Sequence, residues 1–375
     1  MLLAGIRVLE LGQILAAPYA AEILADMGAE VLKVERPEGG DDARGWGPPF
    51  WGNDAALFHQ MNRNKRSIAI DVKSAEGLAR VLELMSEADV FIHNLRPGLP
   101  DKLGIGPKPM RERFPRLVYA DIGAFGHLGP MRTRPGYELL VQAFGGPMSI
   151  TGEADGTPVR CGPSINDLGS GMWAAIGILG ALVQRARSGD GCLVQTSLFE
   201  TAISWTSIAA STFMASGTPP RREGSKHPSV VPYGAFQTAD GTLIIGAGSD
   251  RLFQKLSEVM GHPEWASDPR FATNRDRVLS RDALEALLNT VLRSRSRAEW
   301  TEMLESAGVP CASLQTIPEV LVHEQTEALG MVHEVPDTRD VRLVALPLSF
   351  DGVRPAARLP SPELGMAAGF SRRSG

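Results

Sequence analysis

The chain has 375 residues, 43% hydrophobic and 22% charged, with a net charge of −5. That length can bury a full core and divide into two domains, and an ordinary, slightly acidic balance argues against a protein that coats nucleic acid while leaving room for a local anion site. Cys161, Cys192 and Cys311 are scattered, with no metal-ligand spacing and no disulfide framework, which fits a reducing, cytoplasmic setting.

The N-terminus, Met1 to Arg7, lacks the long apolar core of a secretory signal. Arg7–Leu11 then reads as a short strand. Ala17–Met27 has helical spacing, with Pro18 near its start and Gly28 past its end, and Glu30–Val34 reads as the next strand. This βαβ unit implies a parallel sheet. Ser67–Asp71, Val90–His93 and Leu117–Ile122 extend the strand series, with a helix over 75–87. A long helix follows Asp167 and places Leu168, Met172, Ile176, Leu179 and Val183 on one stripe. Its longest apolar run, Met172–Val183, is too short for a membrane span, so no membrane partner is expected. The helix closes at Ser188-Gly189, and Leu193–Ser197 is a strand. Residues 1–216 are therefore expected to form a large, Rossmann-like, doubly wound α/β domain.

A further helix covers about Leu198–Met214, and Ser216–Gly224 reads as a linker. Gly234–Gln237 and Thr242–Gly246 flank Ala239-Asp240-Gly241, a hairpin signal. Helical patterns over 251–260, 281–292 and 297–307 complete a smaller α+β domain, residues 225–325. The tail, 326–375, holds short apolar segments such as Val341–Leu346 and is expected to return to the large domain.

The turn after the first strand, Gly12 to Pro18, lacks the G-x-G-x-x-G of a dinucleotide site. The chain has no P-loop and no G-x-S-x-G elbow, and its seven histidines are dispersed, so no metal site is expected. Cations recur beside strand ends: Arg36, Lys65, Arg66, Lys73, Arg96 and Lys102. Strand ends are where an open α/β sheet binds its ligand, and several such cations can gather a polyphosphate; solvated surface charge is the alternative. Asp167 stands in Ser164-Ile165-Asn166-Asp167-Leu168-Gly169, at the start of the long helix. There the helix dipole and free N–H groups favour its charge. Two roles fit: a helix N-cap, or an accessible carboxylate that attacks a thioester.

Ordered pieces along nearly the whole chain carry a resemblance. They are Arg7-Val8-Leu9-Glu10-Leu11 with Ala16-Ala17-Pro18, and Asp26-Met27-Gly28-Ala29-Glu30-Val31-Leu32-Lys33-Val34-Glu35. Asn64-Lys65-Arg66-Ser67-Ile68 and Asn94-Leu95-Arg96-Pro97-Gly98 follow. Asn166-Asp167 with Gly171, and His227-Pro228-Ser229-Val230-Val231-Pro232-Tyr233, complete the series. In these the chain resembles the family III CoA-transferases of the CaiB/BaiF type, a group related to the α-methylacyl-CoA racemases.

The resemblance implies that Asp167 is the nucleophile, forming a mixed anhydride and then an enzyme-bound CoA thioester. It implies CoA contacts at Leu15, Ala16, Arg36, Ile70, Asp71, Val72, Lys73, Asn94, Leu95, Arg96, Lys102, Arg134 and Tyr137. It also implies an interlocked homodimer. Acyl-CoA and a small carboxylic acid would be the substrates, with no permanently bound cofactor. Leu15 replaces a glutamine of formyl-CoA transferase, and His227–Tyr233 stands where that enzyme has a glycine-rich flap, so formate and oxalate are not the expected acids. The alternatives are a racemase on the same scaffold and a CoA-binding protein without transfer. In the racemase branch a Gly-His-Asp run supplies a histidine. Here the run is Gly136-Tyr137-Glu138, and a tyrosine, with a pKa of about 10, is a poor base at neutral pH, which leaves Glu138 as the base a racemase would need.

Overall fold

The computed structural model describes residues 1–372; the last three residues of the expected tail lie outside the described residues. The chain forms two compact units. One comprises Met1–Met148, Arg160–Thr218 and the chain from Glu324 onward; the other comprises Ser149–Val159 and Pro219–His323. The stretch Ser149–Val159 thus belongs with the second unit, although the sequence reading kept it within 1–216.

In the first unit β1 (Arg7–Leu11), α1 (Ala16–Asp26) and β2 (Glu30–Glu35) form the expected βαβ unit. β3 (Lys65–Ala69), α2 (Ala75–Glu87), β4 (Val90–His93) and β5 (Val118–Gly123) follow. α3 (Glu138–Phe144), α4 (Ile165–Ser188) and β6 (Leu193–Ser197) complete the series. The six strands are all parallel, in the order β3-β2-β1-β4-β5-β6. The chain leaves β1 in one direction and returns on its other side at β4. The C-terminal ends of β1 and β4 therefore border the crevice where such sheets bind ligands.

β3 starts two residues before the expected Ser67, because Lys65 enters the sheet opposite Val31. The apolar pattern hides that strand start. Lys65 is fully buried, and its Nζ pairs with Glu10 at 2.8 Å and donates to Pro18 O at 2.8 Å. The far edge of β3 is covered by the tail: Ala367 N–H donates to Ser67 O at 2.8 Å, and Gly365 N–H to Ser67 Oγ at 3.1 Å. Such cover keeps an edge strand from pairing with another chain.

α4 departs from the expected stripe. Its buried face is made mostly of small residues, Gly169, Ser170, Gly171, Ala174, Ala175 and Ala181, with Ile178 among them, whereas Met172, Ile176 and Val183 are 42%, 55% and 57% exposed. Small residues let α4 lie close on α1: a Cβ on Gly171 would sit 2.7 Å from Ala16 O. At 24 residues α4 is long and apolar enough to cross a bilayer by length and composition, which Met172–Val183 alone is not; here it packs on α1 and the sheet. The helix expected over 198–214 is two helices, α5 (Leu198–Trp205) and α6 (Ser207–Ser216). At the break the Thr206 hydroxyl turns back to donate to Ile203 O at 3.0 Å.

In the second unit β7 (Tyr233–Gln237) and β8 (Thr242–Gly246) form the expected hairpin. β9 (Cys311–Ser313) pairs antiparallel on the other side of β8. The helices Asp250–Val259, Arg281–Leu292 and Arg297–Ser306 close over a core of Phe236, Leu243, Ile245, Phe253, Leu256 and Trp300.

Candidate active site

Most of the residues singled out from the sequence lie just past the C-terminal ends of β1, β2, β3 and β4. Arg36 follows β2. Its Nε donates to Gly40 O at 3.0 Å, and its Nη2 meets Asp42 at 2.5 Å, with both side chains about half exposed. Ile70 is buried, and Val72 and Leu95 pack on the apolar core, so these three offer a ligand mainly their backbone. Asp71 accepts from Lys73 N–H at 3.0 Å and shapes the turn that leaves the Lys73 side chain exposed. Arg96 and Lys102 are also exposed, around the short helix Leu99–Lys102. Lys65 and Arg66 do not join this group. Lys65 is buried under the sheet, and Arg66 sits at the opposite, N-terminal edge, paired with Glu30 at 3.2 Å.

The turn between β1 and α1 is held by side chains from neighbouring segments. The Asn94 amide brackets Gln13, accepting from its N–H and donating to its carbonyl, both at 2.9 Å. The Asn94 side chain is thereby committed to this turn. Ile14 has φ +68°, a conformation β-branched residues avoid at a cost of about 1–3 kcal/mol. Its N–H donates to Asp41 Oδ1 and Oδ2 at 3.0 and 3.2 Å. Asp41 in turn meets Lys33 Nζ at 2.8 Å, and that fully buried ammonium also pairs with Glu10 at 2.7 Å and donates to Gly12 O at 2.9 Å. The cationic and hydrogen-bonded surroundings hold the Asp41 carboxyl below the usual carboxylate range despite its burial. Leu15 and Ala16, buried, open α1, whose first turn has no side-chain cap.

Asp167 is not the N-cap of α4. Ser164 holds that position, and Asp167 lies in the first turn. It is four residues before Gly171 and so shares the helix face that meets Ala16, within a turn of the start of α1. Its acidity also departs from the expectation. Burial, with the nearby charge of Glu138 second, pushes the Asp167 carboxyl up to about 7, and no hydrogen bond among the described residues offsets them.

Glu138 opens α3 and is buried. It accepts from Gln142 Nε2 at 2.8 Å and from Asn166 N–H at 3.2 Å, so it abuts the turn that carries Asp167. Gln142 Oε1 accepts from Cys161 N–H at 2.8 Å, tying the segment before α4 to α3. Tyr137, beside Glu138, is 60% exposed and is not a core aromatic. The Arg134 guanidinium lies 5.4 Å from the Phe125 ring centroid.

The sequence pattern of CoA-transferase family III matches residues 3–368. The chain belongs to that family. A succinate–glutarate CoA-transferase of Agrobacterium fabrum is 37% identical over 371 residues, covering 97% of this chain and 93% of that protein. An acetyl-CoA:oxalate CoA-transferase of Acetobacter aceti is 38% identical, covering 88% of this chain and 84% of the other. A CaiB/BaiF family protein of Brucella suis, solved by crystallography, superposes with a TM-score of 0.86 at 39% identity, covering 96% of each chain. This chain is a CoA-transferase of the same mixed α/β fold.

In this family III transferase the sequence offers Glu138 only as a base for the racemase alternative, not as a neighbour of Asp167, and it gives no sign of Asp41. Glu138 directly follows Tyr137, so a carboxylate next to a singled-out residue was the available signal. Asp41 had none, because its importance comes from facing Ile14 and Lys33 across the fold.

Proposed function

We propose that the transferase moves CoA from an acyl-CoA to a small acid, a dicarboxylic acid in the first instance, with Asp167 as covalent nucleophile. One observation carries this: an unbonded carboxyl, poised to ionise near neutral pH, stands in the first turn of α4 beside the mouth of the parallel sheet. The Asp167 carboxylate attacks the donor thioester carbonyl, and CoA leaves as thiolate, giving a mixed anhydride. The thiolate attacks the aspartyl carbonyl, releasing the donor acid and leaving an aspartyl-CoA thioester. The acceptor carboxylate attacks that thioester, forming a second anhydride and freeing the thiolate. The thiolate then attacks the acceptor carbonyl and restores Asp167. The thioester energy stays in covalent form throughout. The cations Arg36, Lys73, Arg96 and Lys102 would hold the CoA phosphates, and the uncapped first turn of α1 would offer N–H groups to the developing oxyanion.

The working assembly in this reading is an interlocked homodimer. Its support is the apolar face that one chain leaves uncovered: Met172, Trp173, Ile176 and Val183 on α4, and α6, which buries none of its residues. The relatives point to dicarboxylic acceptors. The similarity to an oxalate-using enzyme removes the ground for setting oxalate aside, which rested on Leu15 and the 227–233 segment. The test is a mass-spectrometric screen of purified protein with a panel of acyl-CoAs and free acids, oxalate, succinate and glutarate included. New CoA esters are expected. Hydrolysis alone, or no product with any pair, defeats the reading.

A further inference from the structure

The turn Gly12–Leu15 lies at the centre of the sheet, where β1 ends, and almost every polar group of its backbone is claimed. The Gly12 carbonyl accepts from Lys33, Gln13 is bracketed by Asn94, and Leu15 N–H donates to Gln13 O at 3.0 Å. Ile14 is the residue under strain, and its N–H has one partner, the Asp41 carboxylate. Asp41 is itself immobilised, buried to 2% exposure between Lys33 Nζ and Ala43 N–H, the latter at 3.0 Å. Strain of this kind persists only where the surroundings over-determine it. Here the next residues downstream are Leu15 and Ala16, and a Cβ on Gly171 of α4 would lie only 2.7 Å from Ala16 O.

We propose that Asp41 is a positioning residue of the transfer reaction. By holding Ile14 in its strained turn it sets the start of α1, and so fixes the wall against which a thioester carbonyl is presented to Asp167. Asp41 does not touch the reacting atoms in this account. The inference rests on the assignment of Asp167 as nucleophile.

The rival is a purely structural ion pair with Lys33, and glycine at position 14 separates the two. Glycine adopts the positive φ without strain, so Ile14→Gly removes the need for the Asp41 clamp and leaves the Lys33 pairing as it was. The full chain is assayed as wild type, Asp41→Asn, Ile14→Gly and the double variant, with the donor and acceptor that wild type uses fastest. Asp41→Asn should lower kcat about tenfold or more, with the KM for acyl-CoA little changed, because misplacement acts on orientation rather than on CoA binding. The double variant should recover to within about threefold of Ile14→Gly, the coupling expected of two residues that act through one turn. An unchanged kcat in Asp41→Asn, or a rise in KM alone, overturns the proposal. So does a double variant that stays as slow as Asp41→Asn or fails to fold, since Asp41 would then serve Lys33 whatever the turn does. If Asp41→Asn alone does not fold, the double variant decides. Asp167→Asn is run alongside: retained turnover there removes the nucleophile assignment, while the kcat comparison still reads whether Asp41 acts through Ile14.

Discussion

The backbone N–H of Asn166 donates to Glu138 Oε1 at 3.2 Å, which brings a second carboxylate to the helical turn that carries Asp167. Burial first, and the like charge of Glu138 second, oppose ionisation and raise Asp167 to about 7. The rate of donor attack should therefore rise with pH and level off above about 7, as Asp167 becomes ionised. Glu138→Gln should shift that limb to lower pH. A pH profile of single-turnover adduct formation checks both, and a limb that stays in place in Glu138→Gln denies the coupling.

The same shift has a stability consequence with a definite sign. The folded state keeps the Asp167 proton up to about pH 7, whereas the unfolded chain gives it up near the ordinary value of about 3.9. The folded state binds more protons in that window, so this group's contribution is fully present below about pH 4 and is lost as pH rises through 7. Asp167→Asn should thus melt higher than wild type at pH 8, with the difference vanishing at pH 4. Calorimetric melting at the two pH values tests it, and a variant less stable at pH 8 than at pH 4 relative to wild type contradicts it.

Asp167→Asn and Asp167→Ala should both abolish transfer, since removing a covalent nucleophile costs orders of magnitude in rate. Wild type incubated with donor acyl-CoA should give an Asp167 adduct trapped by hydroxylamine. Near-normal turnover in either variant would sink the nucleophile.

Charge reversal at Arg36 or Lys102 should raise the KM for acyl-CoA by about tenfold and leave turnover at saturation nearly unchanged. The Arg36–Asp42 pair is exposed and worth at most about 1 kcal/mol, so it yields readily to a phosphate. Calorimetric titration with CoA showing wild-type affinity in both reversals would return these side chains to ordinary surface charge.

No enzyme-dependent deuterium should enter the α-carbon of 2-methylacyl-CoA in heavy water. Racemisation needs an acid–base group on each face of that carbon, and Tyr137 offers an exposed phenol where the racemase run has an imidazole. Rapid exchange that disappears in Asp167→Asn would favour the racemase.

Local pattern was enough to place β1, α2, β4 and β6, because alternation, caps and glycine stops are properties of neighbouring residues. Ordered motifs were enough to reach the family and to single out Asp167. Three matters depended on distant partners. The start of β3 turns on Lys65, a charge that no local rule admits to a sheet until Glu10 neutralises it. The buried face of α4 is its small-residue face, because close approach to Ala16 excludes side chains there and leaves the large apolar stripe outside. The raised pKa of Asp167 comes from burial and from Glu138, 29 residues earlier in the chain, whereas helix position alone suggests a favoured charge. Periodicity reports which residues are apolar, but which of them are covered, and which charges meet, is settled only when segments far apart in sequence are packed into a medium of low dielectric constant.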